Sequence, residues 1–178
     1  MTTSSKPNLR MDLGPTSDQA NAISDHPRVW IFPPFIPLST LVLGVGLQFI
    51  FPLSRFFGWL PSFVHYAIAP LLFACGLVVM ICGKTALLRA KTNVDPRQPA
   101  LCLVETWPYT ISRNPMYLGG SVGLVALSLG FSLYWILVLL LISLPILHFG
   151  VVRKEERYLE QKFCRAYLEY TRRVRRWL

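Results

Sequence analysis

The stretch NPMYLGGSVGLVALSLGFSLYWILVLLLISLPILHFGVV, residues 114–152, contains no Asp, Glu, Lys or Arg. A membrane-spanning helix needs about 20 apolar residues, because the hydrocarbon layer is about 30 Å thick and a helix rises about 1.5 Å per residue. This stretch is nearly twice that length, and Gly130-Phe131-Ser132 interrupts it near the middle. We therefore predict a tight helical hairpin with arms at about Pro115–Leu129 and Leu133–Gly150.

Two more uncharged stretches, Val29–Ser54 and Phe56–Gly83, each have the length of one spanning helix. Three prolines between residues 33 and 37 should delay the first regular helix to about residue 37 or 38, because proline removes a backbone donor. The predicted fold class is all-α: an integral membrane helical bundle of about four transmembrane segments, two helices plus the hairpin, with a C-terminal cytoplasmic amphipathic helix.

Small residues in the first hairpin arm indicate close helix packing. Gly119 and Gly123 are four residues apart and share one helix face. Such a small-xxx-small step predicts close contact between the two arms of the hairpin.

The composition limits the function classes. The chain is 53% hydrophobic and 15% charged, whereas a soluble domain carries about 25% charged residues. A disordered protein is excluded because such chains are poor in apolar residues. A nucleic-acid module is not favoured, since the basic residues adjoin long apolar runs, and the four cysteines form no CxxC or Cys/His cluster that would bind a metal. The expected partner is the lipid bilayer.

Lysine and arginine predict the orientation. They are frequent before the first apolar stretch, between the second and third stretches, and from Arg153 onward, whereas Arg55 is the one basic residue between the first two stretches. The positive-inside rule then places both termini in the cytoplasm and predicts a multi-pass protein. Residues 1–28 are interpreted as a disordered leader and residues 29–178 as the membrane domain.

Polar residues concentrate in the loop 91–117 and in the tail that follows Arg153. The tail predicts an amphipathic helix over 153–177. Glu156 falls on its apolar face and Glu155 at the edge, and a carboxylate on such a face requires a partner. One interpretation is a binding site. The alternative is that both glutamates only pair with Arg113 or neighbouring arginines.

The loop ends in Arg113-Asn114-Pro115, where a helix should begin because proline is favoured in a first helical turn. Free N–H groups and the positive end of the helix dipole then suit an anion or a carboxylate. Ordinary helix capping is the alternative. His148 lies near the membrane surface on nearly the same face as Glu156, and a packing or hydrogen-bonding role is the alternative to that of a base.

Two motifs carry a family resemblance. The run LVETWPY at 103–109 with SRNPMYLG at 112–119, and the tail run EERYL at 155–159 followed by Phe163, Tyr167 and YTRRV at 170–174, occur in this order. Together they resemble integral membrane methyltransferases, the family of isoprenylcysteine carboxyl methyltransferase and the phospholipid methyltransferases.

The resemblance implies transfer of a methyl group from S-adenosylmethionine to a lipophilic or membrane-associated acceptor, either a prenylated cysteine carboxylate or a phospholipid amine. It implies a methyltransferase domain at 29–178 whose loop 91–117 and helix 153–177 enclose the cofactor. Residues carried over as cofactor-binding are Leu103, Val104, Tyr109, Asn114, Pro115, Met116, Tyr117, Glu155 and Glu156.

The chemistry of the cofactor suits these residues. Arg113 and the helix start suit its carboxylate, a glutamate suits its ammonium, and tyrosine rings suit its cation. Arg113 and His148 are the candidate catalytic residues, with His148 as the base if the acceptor is an amine or alcohol. Arg153 is the candidate for holding an acceptor carboxylate.

Two departures from the family pattern matter. Trp107 stands where many relatives have glycine, and Asn114 where histidine is frequent. Trp107 would narrow the pocket or stack on a ligand, whereas Asn114 still offers a donor and an acceptor. Because of these two departures, the alternative function is a non-catalytic membrane scaffold of the same architecture.

Overall fold

The computed structural model describes residues 32–53 and 61–178, and these form helices and irregular segments without a strand. The predicted leader and Arg55 lie outside the described residues. The helices are α1 at Phe35–Ile50, α2 at Val64–Arg89 with a π-helical first turn, α3 at Pro115–Gly130, α4 at Trp135–Leu147 and α5 at Arg153–Arg173. A π-helical turn at His148–Val152 joins α4 to α5.

The predicted hairpin is confirmed as α3 and α4, which break at residues 131–134 with Ser132 at a φ of 55°. The helix α1 begins at Phe35, two or three residues earlier than predicted. Pro37 therefore lies inside the first turn. A proline is tolerated there because the first turn's N–H groups have no intrahelical acceptor.

Large apolar side chains cover the outside of these helices. Leu71, Val78 and Leu141 are 64%, 51% and 76% exposed. In the most apolar stretch of α2 only 17% of the residues are buried, and in that of the continuous helix formed by α4 and α5 only 28% are. A core helix of a soluble protein would be mostly buried, so these faces require lipid. The chain is a membrane protein.

Close backbone crossings hold the bundle together. The most extensive contact is between α2 and α3. A Cβ placed on Gly119 would lie 2.5 Å from the Gly76 carbonyl oxygen, and one on Gly76 would lie 2.7 Å from the Gly119 oxygen. The predicted close packing of Gly119 is therefore real, but its partner is α2 and not the other arm of the hairpin.

The amphipathic α5 folds back over the connector between α2 and α3. Its apolar side chains Tyr167 and Tyr170 are buried with Val174, and Leu103 of the connector packs against them. Cys164, at a φ of 45°, bends α5 between its two halves. This arrangement brings the polar loop and the tail together at one end of the bundle.

The last residues run back in extended form along the start of α3. The Arg113 N–H donates to the Arg175 carbonyl at 3.1 Å, and the Ser112 hydroxyl donates to the Arg176 carbonyl at 3.2 Å. Trp177 then packs on the buried cluster of Ile36, Leu147, Val151 and Val152. The tail is thus an integral part of this end of the fold.

Candidate active site

A cavity of about 490 Å³ opens between the loop, the start of α3, the end of α2 and α5. Its volume lies within the range of about 300–1,000 Å³ that ligand pockets occupy. The structure brings ten of the sequence-predicted residues to its wall: Leu103, Val104, Tyr109, Arg113, Asn114, Pro115, Met116, Tyr117, Glu155 and Glu156.

His148 and Arg153 do not reach this cavity. His148 opens on a separate apolar groove between α3 and α4, beside the Trp177 ring at 6.2 Å between centroids. Arg153 is exposed, and its guanidinium carbon lies 5.7 Å from the centre of the Phe149 ring.

Glu156 is held by two arginines. Its Oε1 lies 3.1 Å from Arg113 Nη1, and its Oε2 lies 2.6 Å from Arg176 Nη2. The Glu156 and Arg113 side chains are only 12% and 13% exposed. Glu156 is therefore paired with arginines, which is the alternative considered for it above. It has little capacity left for a ligand cation.

Glu155 has a different environment. Its Oε1 accepts a 2.7 Å hydrogen bond from the Tyr117 hydroxyl. No arginine or lysine among the described residues pairs with it. Burial raises the pKa of Glu155 to about 7 even though the Tyr117 hydrogen bond opposes this shift. A carboxylate that is desolvated and has no cationic partner favours a positively charged ligand.

Arg113 lines the cavity and has one unsatisfied donor. Its Nε–H is buried and has no hydrogen-bond partner in the described part of the chain. A buried donor without an acceptor costs free energy, so this arginine is held in place by its ion pair with Glu156 and not by its Nε–H.

Asn114 precedes α3 but does not cap it, because its side chain makes no bond to the first turn. Instead, Asn114 Nδ2 donates to the Arg176 carbonyl at 3.2 Å. The ordinary capping interpretation therefore does not apply to this side chain. Its observed contact is structural and ties the C-terminal tail to the start of α3.

Tyrosines form the apolar part of the wall. The Tyr170 hydroxyl donates to the Tyr109 carbonyl at 2.7 Å, and burial raises the pKa of both phenols above their ordinary value. They stay neutral at physiological pH and present ring faces that attract cations. Trp107, by contrast, is 51% exposed and is not in the cavity wall, so it does not narrow the pocket.

Sequence reasoning missed several wall residues. Phe32 and the Pro33-Pro34 turn close one side, and Lys84 and Leu87 line the wall from α2. The signal for Lys84 was available, because it is the first charged residue after an uncharged stretch. The contribution of Phe32 had no local signal, since it depends on where α1 meets the loop, with Arg97 stacked 4.1 Å above its ring.

A comparison with protein families identifies the family of this chain. A family model for phospholipid methyltransferases matches residues 64–166, a range that includes α2, the loop, α3, α4 and the part of α5 that carries both glutamates. No curated protein and no solved structure matches the chain significantly. The resemblance found in the two motifs is confirmed, and the chain belongs to the phospholipid methyltransferase family.

Proposed function

We propose that this protein transfers a methyl group from S-adenosylmethionine to a lipophilic acceptor in the membrane. The observation that carries the proposal is Glu155, a partly buried carboxylate on the wall of a ligand-sized cavity. Among the described residues it accepts a hydrogen bond from the Tyr117 hydroxyl and has no cationic partner. Its desolvation favours a cationic ligand. S-adenosylmethionine carries two cationic groups, an ammonium and a sulfonium.

The wall residues fit the rest of the cofactor. The positive charge of Arg113, a residue of the cavity wall, suits its carboxylate. Glu155 suits its ammonium through a charge-assisted hydrogen bond. The rings of Tyr109 and Tyr170 offer faces to the sulfonium, and Leu103 and Val104 add apolar contact to the adenosine.

The chain's own task is to position the reactants. The cofactor supplies an activated methyl group, whose transfer to a nucleophile leaves the electron pair of the broken bond on sulfur. The residues then contribute by holding the two reactants in line and by excluding water, which is where most of the barrier reduction arises. The buried start of α3, Asn114 and Pro115, and the α5 face above it supply a rigid, dry wall.

We further propose the membrane arrangement. The helix α2 and the continuous helix formed by α4 and α5 are each long enough to cross the membrane. The helices α1 and α3 have 16 residues each and reach about 24 Å, so they would cross with local thinning of the bilayer. The basic loop and α5 would lie at the cytoplasmic face together with both termini. The functional domain is then 29–178, after a leader at 1–28.

The test measures binding and transfer separately. Purified protein in detergent is titrated calorimetrically with S-adenosylmethionine, and radiolabelled methyl transfer is assayed with phosphatidylethanolamine and with a prenylcysteine analogue. A base-labile product identifies a methyl ester, and a stable one identifies an N-methyl group. Glu155→Gln should weaken cofactor binding by about tenfold or more, since charge-assisted bonds contribute about 1.5–3 kcal/mol.

Glu160→Gln is the matched control, because Glu160 is an exposed glutamate on the same helix. It should bind like the wild type. Equal affinities of both variants and the wild type would remove Glu155 from the site. A wild-type protein that binds no cofactor would favour the non-catalytic scaffold.

A further inference from the structure

The apolar groove beside His148 lies between α3 and α4, apart from the cavity of the proposed cofactor site. Its volume is about 450 Å³. The helix α3 packs extensively on α2 but much less on α4, so the two arms of the hairpin leave this gap near the start of α3. The groove and the cavity have no wall residue in common. The groove wall includes Leu118, Ser121, Leu144, His148, Phe149 and Trp177.

The groove wall offers almost no polar group to a ligand. The Ser121 hydroxyl already donates to the Tyr117 carbonyl at 2.8 Å within α3. The His148 ring packs edge-on against the Phe149 ring, with centroids 4.8 Å apart, and lies beside Trp177. None of the described residues that line the groove is an Asp, Glu, Lys or Arg. A hydrocarbon chain fits such a wall, whereas a charged ligand would lose its hydration without gaining a partner.

The groove is continuous with the surface of the helices that lipid covers. Leu141, which is 76% exposed, lies one turn before Leu144 and Pro145 on the same face of α4. Phe149, itself a wall residue, is 60% exposed. The opening of the groove therefore faces hydrocarbon, and the chains of bilayer lipids are the molecules that meet it.

Trp177 connects this groove to the C-terminal tail. Its side chain lines the groove and also packs on the buried cluster that contains Val151. The preceding residue, Arg176, pairs with Glu156, and its carbonyl accepts a hydrogen bond from Asn114 Nδ2. A chain in the groove would cover the indole and hold the tail against the start of α3.

We propose that the groove binds one hydrocarbon chain of a bilayer phospholipid and that this chain stabilises the docked C-terminal tail. The lipid is a bound ligand and not the methyl acceptor. Tyr117 of the cavity wall and Trp177 of the groove wall both pack on the cluster that contains Val151, so this cluster separates the two sites. The inference does not depend on the proposed function, because it concerns a lipid that the reaction leaves unchanged.

The experiment measures lipid retention in wild type and three variants. Each protein in detergent is incubated with dipalmitoyl phosphatidylglycerol and separated from excess lipid, and the retained lipid is measured by mass spectrometry. This lipid carries no amine or carboxylate that could accept a methyl group. Leu144→Trp fills the groove from α4, and Ser121→Leu fills it from α3, so the test does not depend on the folding of one variant. Ile142→Trp is the matched control, because Ile142 is exposed on the same helix as Leu144 but is absent from the groove wall.

Wild type and Ile142→Trp should retain phosphatidylglycerol, and both groove variants should lose it. Limited trypsin digestion then measures release of the tail. Wild type depleted of lipid should release the tail about tenfold faster than wild type loaded with phosphatidylglycerol, which is the factor that burial of about two methylene groups gives. In Leu144→Trp, whose indole replaces the chain, the cleavage rate should not respond to phosphatidylglycerol.

Equal retention by wild type and both groove variants would overturn the site. So would an equal loss in Ile142→Trp, since lipid would then bind the whole helix surface without preference. A wild-type dimer that Leu144→Trp abolishes would assign the groove to a second copy of the chain instead. Loss of methyl transfer in Leu144→Trp with unchanged binding of S-adenosylmethionine would assign it to the acceptor. Tail cleavage that does not respond to lipid in the wild type would refute the stabilising role.

Discussion

Replacing Glu156 by glutamine tests whether a buried ion pair stabilises the fold more than an exposed ion pair whose charged atoms are equally close. Glu156 accepts from Arg176 Nη2 at 2.6 Å and from Arg176 Nε at 2.9 Å, and it pairs with Arg113 Nη1 at 3.1 Å. Glutamine keeps the volume but removes the charge. Two arginines would then face each other with one of them, Arg113, almost fully buried.

The magnitude follows from the exposure of each partner. Removing one member of a buried ion pair costs about 3–5 kcal/mol. Arg176 is 37% exposed, so water can solvate it after the substitution. We therefore expect a loss at the lower end of this range, about 3 kcal/mol. This loss shifts the equilibrium between the packed and the released C-terminal tail by more than about a hundredfold.

Glu105→Gln is the matched control. Glu105 pairs with Arg173 at 2.6 Å, but these side chains are 35% and 64% exposed. An exposed pair contributes under about 1 kcal/mol, because water screens the charges. The control should therefore unfold like the wild type in spite of an equally short distance.

Two assays report the outcome. Thermal unfolding in detergent measures overall stability, and limited trypsin digestion measures release of the tail, since the extended segment beyond α5 carries Arg175 and Arg176. Faster cleavage and a lower midpoint in Glu156→Gln, but not in Glu105→Gln, is the expected result. If both variants behave alike, burial does not distinguish these pairs and the reasoning fails.

Two further predictions concern packing and pH. Gly119→Ala should lose about 1–3 kcal/mol of unfolding free energy and melt at a lower temperature, because its Cβ would meet the Gly76 carbonyl. Gly120→Ala has no atom near its Cβ, so its melting temperature should match or slightly exceed that of the wild type. Because burial raises the pKa of Glu155 from 4.5 to about 7, the folded protein holds this proton more tightly than the unfolded chain. This contribution to stability is complete below pH 4.5 and is lost as the pH rises through 7. Affinity for S-adenosylmethionine should instead rise about fivefold between pH 6 and pH 7 as the carboxyl ionises, and calorimetry on Glu155→Gln should find no such dependence.

The sequence predicted most of the helices because lipid imposes a simple requirement on each one separately. A helix in hydrocarbon must be apolar along its length, so the uncharged stretch at residues 114–152 and its Gly-Phe-Ser break predicted the hairpin of α3 and α4. Most of the cavity wall was predictable for another reason. Most of its residues lie in the loop 91–117 and the helix 153–177, and the helix start at Pro115 and the amphipathic α5 each have a local signal.

Only the tertiary structure determined which partners the two neighbouring glutamates have. Glu155 and Glu156 are adjacent in the chain, yet the extended tail brings Arg176 to Glu156 and leaves Glu155 to Tyr117. Their difference depends on contacts between residues about 20 to 40 positions apart, and no local pattern encodes these. For the same reason, only the fold showed that Gly119 packs against α2 and that His148 and Arg153 lie outside the cavity wall.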